Sequence, residues 1–268
     1  MSARLTRICR YAVKGMSPEP LTRVVLAPGK CLPGDRRFAL ARSATEFDPR
    51  HPEWLPKTKF VMLMREERLA QLQTRFDPTS GDLTIQQNGR QVLGANITEN
   101  AGRESANRFF AAFLGDAVDG APRLVEAPGH TFSDAERRPN SSTYQYVSIV
   151  NLASLRSLEQ AVQAPLDPIR FRANLYIDGA PAWAEFDWVE SVLIAGGVRL
   201  HVVSRITRCA ATSVNPATAV RDVNVPAMLR EAFGHGDMGV YAEVIAGGEV
   251  AVGDSVAPER AEPTQTRG

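Results

Sequence analysis

Cysteine is scarce in this chain, and the few that occur are far apart. The 268 residues contain Cys9, Cys31 and Cys209, an odd number without a C-x-x-C pair. This spacing excludes a disulfide framework, a zinc ribbon and an iron–sulfur site held by the chain alone. The four histidines lack metal-ligand spacing, and the sequence contains neither a His-Glu-x-x-His nor a Gly-x-Ser-x-Gly motif. Zinc proteases and serine hydrolases are therefore disfavoured.

An excess of charge and a long apolar run are also missing. Lys and Arg total 31 against 30 for Asp and Glu, a net charge of +1, which disfavours nucleic acid as a general partner. No stretch approaches the roughly 20 apolar residues of a membrane helix, and residues 1–7 lack the apolar segment of a signal peptide. We therefore expect no membrane association, a cytoplasmic location and reduced thiols.

Short apolar runs interrupted by glycine and proline dominate the chain. The content of 44% hydrophobic and 23% charged residues is that of a globular protein with a substantial core. Alternating segments flank the pairs Asn88-Gly89, Gly196-Gly197 and Gly247-Gly248, and such pairs favour tight β-hairpins. The pattern predicts a mainly β protein with a few helices, whose strands close into a barrel that hides its edges.

Three segments carry helical periodicity. The first ends at Gly115, the second has Asn151 as a plausible N-cap, and the third runs from Pro226 to Gly234. Residues 122–146 lack periodicity and predict a long irregular connection of the kind that often forms a functional lid. Within it His130 is expected to be a solvated loop residue. Residues 257–268 have little to bury and predict a flexible tail.

The segment around Cys209 carries the clearest chemical signal. Arg208 precedes this cysteine, and a turn-rich stretch ending at Val214-Asn215-Pro216 follows it. Nearby cations favour the thiolate, which is the form that ligates metals or attacks electrophiles. A lone cysteine is more often a small buried hydrophobe, and we assign that role to Cys9 and Cys31.

Six blocks in a fixed order give the sequence a family resemblance. It resembles the MOSC domain family, named after molybdenum cofactor sulfurases, in the form that carries an N-terminal MOSC β-barrel domain and includes an amidoxime-reducing branch. The blocks are Tyr11-Ala12-Val13-Lys14-Gly15, Gly34-Asp35-Arg36-Arg37-Phe38, Asn151-Leu152-Ala153-Ser154-Leu155, Arg170-Phe171-Arg172-Ala173-Asn174, Arg208-Cys209 with Val214-Asn215-Pro216, and Gly239-Val240-Tyr241 with Val252-Gly253-Asp254.

The resemblance implies an architecture and a site. It implies an N-terminal β-barrel domain over residues 1–120, packed on a MOSC β-barrel over residues 121–256. It also implies that Cys209 is a molybdenum ligand and the catalytic residue. The residues that match the cofactor pocket of the amidoxime-reducing branch are Lys14, Arg36, Arg172, Asn174 and Arg208. Arg172 and Asn174 are expected to alternate along one strand and face one side, with Arg170 as a weaker candidate on the same face.

The function implied is that of a molybdenum-dependent oxidoreductase. Such an enzyme binds molybdopterin and reduces N-hydroxylated compounds, or related N-oxides and S-oxides, as small-molecule substrates. Its electrons come from a separate donor protein, and we expect no pyridoxal phosphate, flavin or iron–sulfur cluster in this chain. The alternative is a non-catalytic carrier of the cofactor, or of sulfur on Cys209. A barrel that keeps the fold without the ligand is a third alternative, because Gly15 replaces a serine found in the amidoxime-reducing branch.

Overall fold

The chain folds mainly into β-strands, with three α-helices in the described part. A computed structural model describes residues 2–259. The strands are β1 Ala3–Arg10, β2 Glu19–Leu21, β3 Arg23–Leu26, β4 Phe38–Ala41, β5 Leu72–Phe76, β6 Asp82–Gln87, β7 Arg90–Asn96, β8 Arg123–Glu126, β9 Val147–Asn151, β10 Leu175–Asp178, β11 Val192–Ala195, β12 Val198–Thr207, β13 Asp237–Ala246, β14 Gly248–Ala251 and β15 Ser255–Pro258. The helices are α1 Asn100–Leu114, α2 Leu152–Val162 and α3 Val225–Phe233. This composition confirms the predicted mainly β class.

Seven strands form a closed barrel. The order around the barrel is β10, β9, β13, β12, β11, β15 and β1, and the pairing of β1 with β10 closes it. Strands β9 and β10 run parallel, whereas the other neighbours are antiparallel. Apolar side chains from all seven strands, including Leu5, Ile149 and Val240, form one buried core cluster. Closure leaves these strands without free edges, as the sequence predicted.

The N-terminal strand belongs to this barrel although the rest of the barrel comes from the second half of the chain. Strand β1 pairs with both β10 and β15, β3 pairs with β14, and β4 pairs with β8. All three sets of pairings cross the predicted boundary at residue 120. The division into domains 1–120 and 121–256 stays a prediction, and backbone hydrogen bonds run across it.

The remainder of the N-terminal half forms small sheets around a second core. Strands β5, β6 and β7 make a three-stranded sheet, and β4 with β8 makes a two-stranded one. Helix α1 contributes Phe110 and Leu114 to the core that these sheets share. The β6–β7 hairpin turns at Asn88 and Gly89, whose φ angles of 52° and 74° are those of the predicted tight turn.

One of the three predicted hairpins is wrong. Strands β11 and β12 pair around Gly196-Gly197 as expected. Strand β14 pairs instead with β3, so Gly247-Gly248 connects two different sheets rather than two paired strands. The two glycine pairs also pack closely against each other: a Cβ atom on Gly248 would lie 2.4 Å from the carbonyl oxygen of Gly197.

The helices agree with their sequence signals. Helix α1 ends at Gly115 and α3 at Gly234, and the Asn151 side chain caps α2 by accepting from the Ala153 amide at 3.1 Å. Within residues 2–259 no helix has the length and apolar character needed to cross a bilayer.

Two segments that we predicted to be irregular, residues 122–146 and residues 257–268, contain strand residues. Strand β8 begins the supposedly irregular segment 122–146. At the other end, residues 257 and 258 lie in β15, and Glu259 donates its backbone N–H to the carbonyl oxygen of Val192. The rest of the predicted tail lies outside the described residues.

Candidate functional site

All six site residues predicted from the sequence line one cavity. Its volume is about 250 Å³, and Lys14, Arg36, Arg172, Asn174, Arg208 and Cys209 are all in its wall. These residues come from both halves of the chain and are separated by up to 195 positions. The fold therefore brings the whole predicted set together around one space.

Cys209 lies directly beyond the end of β12. It is the N-cap of a 3₁₀ turn over Ala210–Ser213, and its carbonyl oxygen accepts from the amide of Thr212 at 3.1 Å and from the hydroxyl of Thr212 at 2.9 Å. The thiol is free and the residue is half-buried. A cysteine fixed at a turn beside an arginine, in a cavity wall, suits a metal ligand better than a core hydrophobe.

An ion pair between the buried Arg170 and the exposed Asp222 anchors this turn. The Arg170 guanidinium contacts both carboxylate oxygens of Asp222 at 2.6 Å and donates to the carbonyl oxygen of Ser213 at 3.2 Å. Asp222 also accepts from the side-chain Nδ2 of Asn215 at 2.7 Å, which closes the base of the loop that follows Cys209. Arg170 lines the cavity but uses these donors to fix the thiol-bearing segment.

Arg36 and Arg172 share one aromatic ring. The guanidinium carbons lie 4.6 Å and 4.5 Å from the ring centre of Tyr11, which is fully buried. Arg36 donates to the carbonyl oxygen of Arg172 at 2.8 Å, and Arg172 donates to that of Met16 at 2.6 Å. Arg36 also forms an ion pair with Asp35, and this carboxylate, the ring face and the carbonyl dipoles offset the repulsion between the two cations. Burial lowers the pKa of the Arg172 guanidinium.

The expectation of one strand carrying Arg172 and Asn174 is wrong. Arg172 is the C-cap of a 3₁₀ helix over Pro168–Phe171 and has a φ of 51°, and the strand β10 begins only at Leu175. Asp167 caps this turn by accepting from the Ile169 amide at 2.8 Å, and Pro168 favours the first helical position. Arg172 therefore reaches the cavity wall from this turn, and not through the alternation of side chains along a strand.

Asn174 lines the cavity, but its side-chain amide already forms hydrogen bonds with other segments of the chain. Its Oδ1 accepts from the backbone N–H of Ser148 at 3.1 Å and from the Ser148 hydroxyl at 2.9 Å, and its Nδ2 donates to the carbonyl oxygen of Cys9 at 3.2 Å. These bonds join β1 to β9 beside the cavity, whose wall includes Ser148. Cys9 is buried, as predicted.

Arg208 and Lys14 bring positive charge from two further directions. Arg208 donates to the carbonyl oxygens of Met238 and Phe171, each at 2.8 Å. Lys14 donates to the carbonyl oxygen of Phe132 at 2.8 Å and forms an ion pair with Asp134. Burial lowers the pKa of the Lys14 ammonium, and the Asp134 carboxylate opposes that shift only in part.

The residue after Lys14 explains one departure from the family pattern. Gly15 has a φ of 84°, and a Cβ atom there would lie 3.3 Å from a methyl carbon of Leu69. The left-handed backbone favours glycine, so in this chain the position shapes the cavity wall through its backbone.

Sequence reasoning missed several residues of the cavity wall. They are Cys31, Asp35, Lys57, Asp134, Arg138 and Tyr241. Arg138 and Asp134 lie in the segment without periodicity, where no pattern marks individual residues. Cys31, which we assigned the role of a small buried hydrophobe, belongs to the wall, and burial, with a smaller effect of Asp35, raises its pKa to about 12.

His130 is not the solvated loop residue that the sequence predicted. It is 8% exposed, its ring packs edge-on against Phe132, and its Nδ1 lies 3.2 Å from the Tyr144 hydroxyl. Burial lowers the pKa of the imidazole. The aromatic residues around it exclude solvent, and the cavity wall does not include it.

The cavity is strongly positive. Among residues 2–259, seven Lys and Arg side chains line it, against the two carboxylates Asp35 and Asp134. Over residues 2–259 no cluster of three or more His, Cys, Asp or Glu side chains is arranged to hold a metal ion. A metal bound through Cys209 must therefore bring other ligands of its own, and a cationic cavity suits an anionic organic ligand that does so.

Comparison with known proteins points to one family. The family model of the MOSC domain matches residues 130–257. "Mitochondrial amidoxime-reducing component 1" of Homo sapiens is 28% identical over 143 residues, which cover 51% of this chain and 42% of the relative. "Mitochondrial amidoxime reducing component 2" of Bos taurus is 29% identical over 191 residues, covering 62% of this chain and 54% of the relative. The chain thus spans about half the length of the curated relatives it matches.

A solved structure also aligns over most of the chain. The YUAD protein from Bacillus subtilis superposes on 96% of this chain and 94% of its own, with 13% sequence identity and a TM-score of 0.45.

Proposed function

Since the chain carries a MOSC domain over residues 130–257, we propose that it binds the molybdenum cofactor and works as an oxidoreductase. The substrates are N-hydroxylated compounds, or related N-oxides and S-oxides, and the electrons come from a separate protein. The names of the matched relatives, both amidoxime-reducing components, support this choice of reaction.

One observation carries the proposal: the free thiol of Cys209 belongs to a cavity whose wall contains Lys14, Arg36, Arg172 and Arg208. Thiolate is the soft ligand that proteins offer to molybdenum, and arginine forks suit phosphate and pterin edges. The donor set therefore fits a molybdopterin ligand, with Cys209 as the residue that holds the metal.

The arginines of the cavity have different roles in binding the cofactor. In the described part of the chain, Arg172 donates to a protein acceptor through Nη1 alone, so its other N–H groups are available for a ligand. Arg36 is held by a carbonyl and by its ion pair with Asp35, whereas Arg208 is held by protein carbonyls and supplies fixed positive charge. When bound, the cofactor supplies oxygen-atom transfer and two-electron redox chemistry. The residues of this chain orient it and limit the access of water.

Metal content of the purified protein tests the proposal directly. The full chain is produced in a molybdate-replete host, and molybdenum and pterin are quantified for the wild type, Cys209→Ala and Cys209→Ser. We expect near-stoichiometric metal in the wild type and a loss of at least about tenfold in metal-supported reduction of benzamidoxime by reduced viologen in both variants, since a thiolate ligand is removed. Cys9→Ala, which alters a buried thiol outside the cavity wall, is the matched control.

Two outcomes contradict parts of the proposal. Wild-type protein without molybdenum and pterin from such a host would refute cofactor binding. Protein that holds the cofactor, fails to reduce N-hydroxylated compounds and reconstitutes a cofactor-free acceptor enzyme would identify a carrier instead.

A further inference from the structure

Among the arginines of the cavity wall, Arg138 differs in how its donors are used. Arg36, Arg170, Arg172 and Arg208 each donate to a protein carbonyl or carboxylate. No N–H of the Arg138 guanidinium donates to a protein acceptor within residues 2–259, and its Nε is buried without any partner. A buried charged donor without an acceptor costs free energy, which a ligand that supplies the acceptor recovers.

The backbone of Arg138 is nevertheless fixed. Its N–H donates to the Tyr146 hydroxyl at 3.0 Å, and its carbonyl oxygen accepts from the Ser141 amide at 3.1 Å. The Ser141 hydroxyl in turn donates to Glu243 on β13 at 2.6 Å. The segment is thus tied to the barrel, and its backbone fixes the point from which the Arg138 side chain extends to the cavity wall.

We propose that Arg138 binds an oxyanion, a phosphate or a carboxylate, presented at this cavity. A guanidinium fork matches both groups with paired hydrogen bonds. Arg36, Arg170 and Arg208 have donors held by protein acceptors, whereas Arg172 keeps N–H groups available for a ligand. Within residues 2–259, Arg138 is the arginine of the wall that offers its whole guanidinium to the anion. The oxyanion belongs either to the bound cofactor or to an acidic group on the substrate, and assigning it to one of these rests on the proposed function. Anion binding itself does not.

Calorimetric titration of the metal-free full chain with inorganic phosphate tests anion binding. The variants are Arg138→Gln and Arg138→Lys, and Arg137→Gln is the matched control because Arg137 is the exposed neighbour in the same segment. We expect wild type and Arg137→Gln to bind alike and Arg138→Gln to bind at least about tenfold more weakly. Arg138→Lys, which keeps the charge and loses the fork, falls between them.

Two outcomes of the phosphate titration would overturn the proposal. Phosphate affinity that is the same in wild type and Arg138→Gln, or absent in wild type, refutes it. Thermal unfolding by circular dichroism accompanies each titration. If Arg138→Gln does not fold, the comparison rests on Arg138→Lys, whose affinity must then lie below that of Arg137→Gln.

The same variants, produced in a host that supplies the cofactor, show whether the anion belongs to the cofactor or to the substrate. Loss of molybdenum and pterin from Arg138→Gln assigns the anion to the cofactor. Retained cofactor, with KM raised about tenfold for a carboxylate-bearing N-hydroxylated compound and unchanged for a neutral one, assigns it to the substrate. Retained cofactor with both KM values unchanged contradicts a role for Arg138 at this site. A chain that never binds cofactor fails the proposed function while the phosphate result stands.

Discussion

Glu243 is the residue that joins the irregular segment before β9 to the barrel. Its carboxylate accepts from the Ser141 hydroxyl at 2.6 Å, from the Ser142 backbone N–H at 3.2 Å and from the Ser142 hydroxyl. Burial alone would raise the pKa of this carboxyl group, but these hydrogen bonds outweigh burial and lower it. The anionic form is therefore the one that stabilises the folded state.

The lowered pKa of Glu243 predicts a pH-dependent contribution to stability. A carboxyl group whose pKa is depressed on folding stabilises the protein above its ordinary pKa of 4.5, and this contribution is lost as the pH falls through the folded value. We expect Glu243→Gln to lower the free energy of unfolding by about 1–3 kcal/mol at pH 7 and by clearly less below pH ~4. Urea denaturation at both pH values measures this.

The control for this prediction is Glu231→Gln, which changes an exposed carboxylate on α3. It should leave the stability unchanged at both pH values. If Glu243→Gln lowers the free energy of unfolding equally at pH 7 and below pH ~4, the carboxylate charge does not contribute to stability.

At the scale of elements, strand β13 passes β9 at an unusually short distance. Gly239 on β13 has a φ of 75°, and a Cβ atom there would lie 2.3 Å from the carbonyl oxygen of Ile149 on β9. The following residues Val240 and Tyr241 pair with Ile149 and Ser148. The glycine thus permits the approach that brings Tyr241 into the cavity wall.

A pair of glycine variants separates backbone strain from crowding. Gly234 has nearly the same φ, 74°, and a Cβ atom there would meet nothing within 4 Å, so Gly234→Ala carries only the strain of a left-handed backbone, about 1 kcal/mol. We expect Gly239→Ala to cost about 1–3 kcal/mol more, because the strand must also move. Denaturant midpoints measure both, and equal losses would contradict the close packing of β13 on β9.

At the scale of the whole molecule, the N-terminal strand completes the barrel. Strand β1 lies between β10 and β15, and its Leu5 and Ile8 belong to the barrel core. Without it, two strands of the same sheet would present unpaired edges and the core would be open to water. The barrel is therefore a product of both ends of the chain.

This topology predicts the behaviour of the second half alone. A fragment of residues 121–259, which keeps six of the seven barrel strands, should aggregate or unfold without cooperativity, because its edges between β10 and β15 are unpaired. Circular dichroism melting and gel filtration, with the full chain as control, test this. A cooperative transition at the temperature of the full chain would show that the fragment is an independent domain.

The sequence predicts those parts of the fold that depend on interactions between neighbouring residues. The Asn88-Gly89 turn, the Asn151 cap and the helix end at Gly234 depend on φ preferences and hydrogen bonds over a few residues, so the sequence predicts them well. The set of site residues also came from the sequence, through the order of its motifs. A hydrogen bond or turn within reach of its own sequence neighbours needs no knowledge of the rest of the chain.

Contacts between distant segments were decided only by the tertiary structure. The pairing of β14 with β3, the insertion of β1 into the barrel and the burial of His130 depend on which surfaces meet when the chain closes. The buried Nε of Arg138, which has no partner within residues 2–259, is of the same kind, because the loss of acceptors follows from packing and not from local pattern. Sequence alone determined the residue types that can do the chemistry, whereas three-dimensional closure decided which of them face one another.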